Sequence, residues 1–211
     1  MSGPVAAPTV KVTTRDGGDP MTEVRWDGAE YEMVLEGTCD ASPADVYDVL
    51  ADLSTHTRWA GADQHRGFRL LSLDGEGIAE AGTTFASVGS VPMSLSRWEN
   101  HNEVLEARRP DVFAFGTDAR VRWRIGKPTE ARYEHRYEIA REGAGSRVVY
   151  RLRERAVTNP PPRMRFPAMR SMSYRVMIPW FCRRGFANLL READRRAASA
   201  GSGLQGITST R

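Results

Sequence analysis

Near the C-terminal end the apolar positions recur every three or four residues. Beginning near Met177, Ile178, Phe181, Cys182, Gly185, Phe186, Leu189, Leu190, Ala193 and Ala197 form one stripe, while Arg183, Arg184, Arg191, Glu192 and Arg195 fall mainly on the other side. This spacing predicts one long amphipathic helix whose stripe must be buried against another element. Pro179 lies inside it and lacks an N–H, so a kink or a new helix start is expected there. Between Tyr31 and Ala156 almost everything alternates instead, apart from one short helical patch, and so supplies a sheet for the helix to lie on.

In chain order, residues 1–27 are rich in Gly, Pro, Thr and Asp without sustained periodicity and are expected to form a flexible tail. Tyr31, Met33, Leu35 and Gly37 alternate with Glu32, Val34, Glu36 and Thr38, which predicts a half-buried first strand. Ser42 is a good helix N-cap, Pro43 suits the first helical position, and Val46, Tyr47, Leu50 and Leu53 make an apolar face. A second short helical turn is expected from Ser54 to Trp59.

Strands are then predicted near 67–73, 82–89, 93–100, 103–109, 112–117, 120–125, 132–141 and 147–156. Turns fall at the DGEG sequence, at Asn100–Asn102, at Lys127–Pro128 and at Glu142–Ser146, a spacing that implies an antiparallel meander. The prolines of VTNPPPRMRFP exclude a further strand. Residues 28–197 thus form one domain, and 198–211, small and polar, are expected to be a disordered end.

Composition narrows the possibilities. With 211 residues, 40% hydrophobic and 27% charged, the chain matches an ordinary globular domain with tails. No apolar run approaches the ~20 residues of a membrane span, and the N-terminus lacks the features of a secretory signal, so a cytoplasmic location without stable membrane insertion is expected. Cys39 and Cys182 are read as free thiols. A pI near 9.1 invites a nucleic-acid reading, but the net charge is only +3 and the two signs are interleaved, which argues against it. His56, His65 and His101 show no metal-ligand spacing with the cysteines, so neither metal nor cofactor is expected.

The segment ASPADVYDVLADLSTHTRWA resembles the first-helix signature of the START-like, or SRPBCC, superfamily, which includes polyketide cyclases/dehydratases and lipid-transfer proteins. The resemblance continues in AGTTF at 81–85, EVLEARRPDVFAF at 103–115 and GAGSRVVYRLRE at 143–154, and spans residues 30–196. It implies an α+β helix-grip fold: a curved antiparallel sheet of about seven strands wrapped around one long C-terminal helix, with two short helices after the first strand. It also implies a ligand cavity between sheet and helix.

Alternation suggests the lining of such a cavity. Strand 132–141 offers Tyr133, His135, Tyr137 and Ile139 against Arg132, Glu134, Arg136 and Glu138, and the charged set belongs outside. The same reasoning turns Val121, Trp123 and Ile125 inward, and likewise Val148, Tyr150, Leu152 and Glu154. Trp59, Trp98, Phe115, Met177 and Phe181 complete the expected lining. Such a wall suits an elongated, mostly apolar ligand with a few oxygens.

Two functions follow from the resemblance. In a cyclase/dehydratase acting on a polyketide-like substrate, an acyl-carrier protein would be a natural partner and the chain a monomer or homodimer. His135 would be the base, Tyr133 or Tyr137 the donor to a developing oxyanion, and Glu154 the acid that helps water leave. The alternative is a carrier or sensor of a lipid, isoprenoid or aromatic metabolite. A free, perturbed titratable group inside the cavity favours the first, and a fully engaged His135 the second.

Overall fold

The computed structural model describes residues 10–12, 20–26, 30–60, 68–74, 77–91 and 95–205. The expected first strand is present as Tyr31–Cys39, with Tyr31, Met33 and Leu35 essentially sealed from solvent. It belongs to a nine-stranded antiparallel sheet. In chain order the strands are β1 (Val10–Val12), β2 (Met21–Trp26), β3 (Tyr31–Cys39), β4 (Arg69–Leu73), β5 (Thr84–Ser90), β6 (Arg97–Arg108), β7 (Val112–Arg122), β8 (Thr129–Glu142) and β9 (Gly145–Thr158). Across the sheet the order is β1-β2-β3-β9-β8-β7-β6-β5-β4. The first-strand hairpin therefore joins the end of the β4–β9 meander through β3 and β9, where Tyr31 lies opposite Glu154 and Leu35 opposite Tyr150.

Six of these strands, β4–β9, correspond to the expected meander. The differences have physical reasons. Asn100–Asn102 is not a turn. Asn102 is buried in the middle of β6, donates from Nδ2 to the Phe85 carbonyl at 3.0 Å and accepts from Thr117 Oγ1 at 2.7 Å. Tertiary hydrogen bonds thus override the local turn preference of asparagine. Residues 112–122 likewise form one strand where two were expected. Met21–Trp26, assigned to the N-terminal tail from composition, pairs in register with Tyr31–Glu36 and buries Thr22 and Val24.

The short helices follow the expected chemistry. Helix α1 (Pro43–Ala51) begins with a reciprocal capping box, in which the Asp45 N–H donates to Ser42 Oγ at 3.3 Å and the Ser42 N–H to Asp45 Oδ2 at 3.2 Å. A 3₁₀ turn (Leu53–Thr55) leads into α2 (His56–Trp59). After β9 the chain turns through Pro162–Arg165 into α3 (Pro167–Met172), a π turn (Ser173–Met177) and the long α4 (Ile178–Gln205). The expected disturbance at Pro179 is this π turn: without a proline N–H the regular ladder cannot close, and a wider turn takes up the break. Helix α4 extends past residue 197, where the small polar C-terminal segment was expected to begin.

The stripe of α4 packs against the inner face of the sheet through Phe186, Leu189, Leu190 and Ala193, all buried. Gly37 permits the close approach, since a Cβ there would stand 2.9 Å from Leu190 Cδ1. Asp194 Oδ1 accepts from the Ala41 N–H at 2.9 Å and ties the helix to the end of β3. On the outer face the charged residues pair across strands, as in Arg147–Glu36, Arg153–Glu32, Arg155–Glu134 and Arg132–Asp118. The abundant arginines of the meander are therefore largely matched by acids on neighbouring strands.

Candidate ligand-binding site

The curvature of the sheet around α4 leaves a cavity of about 250 Å³. His56, Trp59 and Ala60 of α2 border it, with Phe68, Ser87, Trp98, Asn100 and Asn102 on the β4–β6 side. Phe115, Thr117, His135, Tyr137 and Tyr150 form its floor, and Phe181, Cys182 and Phe186 of α4 form its roof. Gly89 makes room for one wall, because a Cβ there would lie 2.3 Å from Trp98 Cζ2. The lining is chiefly aromatic: the rings of Phe115 and His135 stack at 4.4 Å and those of Tyr137 and Tyr150 at 4.6 Å.

His135 lies at the centre of the floor. Its Nδ1 shares a 2.8 Å hydrogen bond with the Tyr150 hydroxyl, which also reaches the Cys182 thiol. Burial, with the neighbouring His56 as a lesser cause, lowers the His135 pKa to about 3. Burial alone lowers that of His56 to about 4, and it raises the Cys182 thiol to about 12 and both Tyr137 and Tyr150 above their ordinary range. Every titratable group of this lining is thus neutral around pH 7.

Two lining residues carry polar atoms that the fold leaves unsatisfied. His56 Nδ1 and Trp59 Nε1 are buried without a hydrogen-bond partner. The two rings lie 4.5 Å apart and T-shaped, with Phe85 also against His56. An unmade buried hydrogen bond costs about 1–3 kcal/mol, so this pair calls for an explanation. Sequence reasoning weighed His56 only as a metal ligand. A usable signal was its position three residues after Leu53 and six after Leu50, on the face that α1 and the following turns bury.

The other expected site residues separate into groups. Trp59, Trp98, Phe115, His135, Tyr137, Tyr150 and Phe181 border the cavity, whereas Met177 sits in the π turn and does not. Trp123 was expected inside and is not there. Strand β7 ends at Arg122, so the alternation stops. Trp123 instead donates from Nε1 to Thr129 Oγ1 at 2.7 Å beneath the Arg163 guanidinium, and Ile125 is 88% exposed.

Tyr133 and Glu154 line a second cavity of about 390 Å³, bounded by Trp26, Thr129, Met164, Arg165, Arg170, Tyr174 and Ile178. There the Tyr174 hydroxyl donates to Glu154 Oε1 at 2.9 Å and Oε2 at 3.2 Å, and Tyr133 also hydrogen-bonds the carboxylate. Glu154 therefore pairs with tyrosines of β8 and of the π turn. Burial raises its pKa, and the tyrosine bonds and Arg170 act in the opposite direction. The four residues proposed from sequence for acid–base chemistry thus occupy two cavities. Among the described residues no three His, Cys, Asp or Glu side chains come together as a metal site would require.

A curved antiparallel sheet gripping a long C-terminal helix, with a cavity between them, defines a helix-grip protein. Solved structures agree. A STAR-related lipid transfer protein from Xanthomonas axonopodis superposes with a TM-score of 0.56 at 16% identity, over 88% of this chain and 98% of that one. A Rhizobium leguminosarum protein described as putative and uncharacterized gives 0.56 at 11% identity over 79% and 95%. Ara h 8.0201 gives 0.50 at 10% identity over 81% and 99%. At these identities the likeness is one of fold. No family model matches the sequence, and no curated protein matches it.

Proposed function

We propose that this chain is a carrier or sensor that holds one small, largely apolar molecule, bearing at least one hydroxyl or carbonyl, between the sheet and α4. The observation that carries this reading is the unsatisfied pair His56 Nδ1 and Trp59 Nε1 on an otherwise aromatic wall. The indole N–H can only donate, whereas a neutral imidazole nitrogen can accept. A ligand hydroxyl that reached both atoms would accept from Trp59 and donate to His56, making both missing bonds. Ligand pockets commonly measure ~300–1,000 Å³, so a cavity of about 250 Å³ favours a compact ligand of one or two rings. The resemblance in fold to a STAR-related lipid transfer protein agrees with carriage of an apolar molecule.

The cyclase/dehydratase reading is less well supported by the same geometry. A general base works best with a pKa near the operating pH, and His135, engaged by Tyr150 and lowered to about 3, is a poor one. Tyr133 and Glu154 line a different cavity. Native mass spectrometry of the protein exposed to an extract of the producing cell separates the two. A retained molecule released unaltered, with no change in the extract, is expected. Conversion of an extract component to an isomer, or to a product lighter by one water, with loss in His135→Ala or Tyr133→Phe, would overturn the carrier reading.

A further inference from the structure

The segment joining the last strand to α4 differs in charge from the rest of the chain. From Arg155 to Arg191 there are eight arginines and no aspartate or glutamate, although the whole chain holds 30 basic and 27 acidic residues. Arg155 pairs with Glu134 on the sheet, but Arg163, Arg165, Arg175, Arg183 and Arg184 make no ion pair among the described residues. This differs from the cross-strand matching that neutralises the arginines of the meander.

The same segment also exposes an apolar stripe. Phe166, Met169, Met172, Val176 and Trp180 follow one another at steps of three and four and are 38–65% exposed. Its opposite side is already in use, because Tyr174 is buried and, with Met164 and Ile178, walls the second cavity. The Arg184 guanidinium lies 5.8 Å above the exposed Trp180 ring, so an aromatic anchor and a cation sit side by side. A basic helical segment that turns Phe, Met, Val and Trp toward water matches the chemistry of an anionic lipid surface. Arginines meet the headgroups and the stripe reaches the acyl boundary. An acidic protein would satisfy the arginines but gives no reason for so long an apolar row.

We propose that residues 163–184 form a platform on which the protein lies against an anionic bilayer. No helix among the described residues is long and apolar enough to cross a membrane, so the contact is interfacial. The platform does not depend on a bound ligand, since its apolar row, Phe166, Met169, Met172, Val176 and Trp180, borders neither cavity.

The test is flotation of the full chain with vesicles of phosphatidylcholine alone and of phosphatidylcholine mixed with phosphatidylglycerol. Binding is expected only to the mixed vesicles, and raising salt from roughly 0.05 to 0.5 M should release the protein as charge screening tightens. Phe166→Ser with Trp180→Ser should weaken partition about tenfold, and Arg163→Glu with Arg165→Glu at least as much, both with unchanged thermal midpoints. The proposal is overturned if the wild type stays unbound at low salt, or if the Phe166/Trp180 variant floats like wild type. Binding of a purified acyl-carrier protein in place of the vesicles would also overturn it. Flotation is read on the protein itself, so an empty cavity leaves the result unaffected.

Discussion

Acidification should destabilise this fold in a range where most carboxylates are still ionised, and His56 should account for a defined share. The side chain is neutral in the native state, its pKa lowered by burial to about 4, whereas in the unfolded chain it titrates near ~6.5. Below that value the unfolded state binds the extra proton, so stability falls with pH until the folded value is passed. Linkage between these two values gives a loss of about 2 kcal/mol from about pH 7.5 to about pH 5 for His56. His135, lowered further, adds a similar amount, and the two are electrostatically linked. Against a typical stability of ~5–15 kcal/mol this is a large effect.

Glu154, raised by burial, opposes the trend, so the informative quantity is the difference between wild type and His56→Leu. Leucine has a similar volume and removes both the titration and the unsatisfied Nδ1. Urea midpoints should show the variant equal to or more stable than wild type by up to ~3 kcal/mol at neutral pH. On acidification it should lose about 2 kcal/mol less. Equal losses in the two proteins would refute the reasoning.

Three further outcomes follow from the same geometry. Tyr150→Phe removes the bond to His135 Nδ1 and should cost about 1–3 kcal/mol in denaturant unfolding, since a buried ring nitrogen loses its partner. Gly89→Ala places a methyl against the Trp98 ring and should cost about 1–3 kcal/mol while shifting tryptophan fluorescence, because that ring must move. Cys39 and Cys182, raised by burial to about 11 and about 12, should react with a thiol reagent near pH 8 only slowly until denaturant is added.

How much was legible in the sequence depended on what each signal measures. Alternation located Tyr137, Ile139, Val148, Tyr150 and Leu152 on the inner face, because a regular strand with one charged side has little choice of orientation. The same rule misplaced Trp123 and Ile125, since it holds only while the chain stays extended and β7 ends at Arg122. Asn102 read as a turn because its partners, Phe85 and Thr117, are distant in sequence. The tyrosine partner of Glu154 was not legible because Tyr174, twenty residues later, lay in a segment with no readable structure. His56 escaped notice for a related reason: an unmade hydrogen bond leaves no periodic trace and becomes visible only once every neighbour is in place.

The most direct measurement is the indole proton of Trp59 by nitrogen-labelled NMR, assigned through Trp59→Phe, in protein stripped of ligand and in protein loaded from the producing cell's extract. The account predicts that loading shifts this resonance as the unsatisfied Nε1–H acquires an acceptor, and that Trp59→Phe weakens retention about fivefold, the worth of one neutral hydrogen bond. A retained ligand that leaves the Trp59 resonance unmoved and binds Trp59→Phe as tightly as wild type would contradict it.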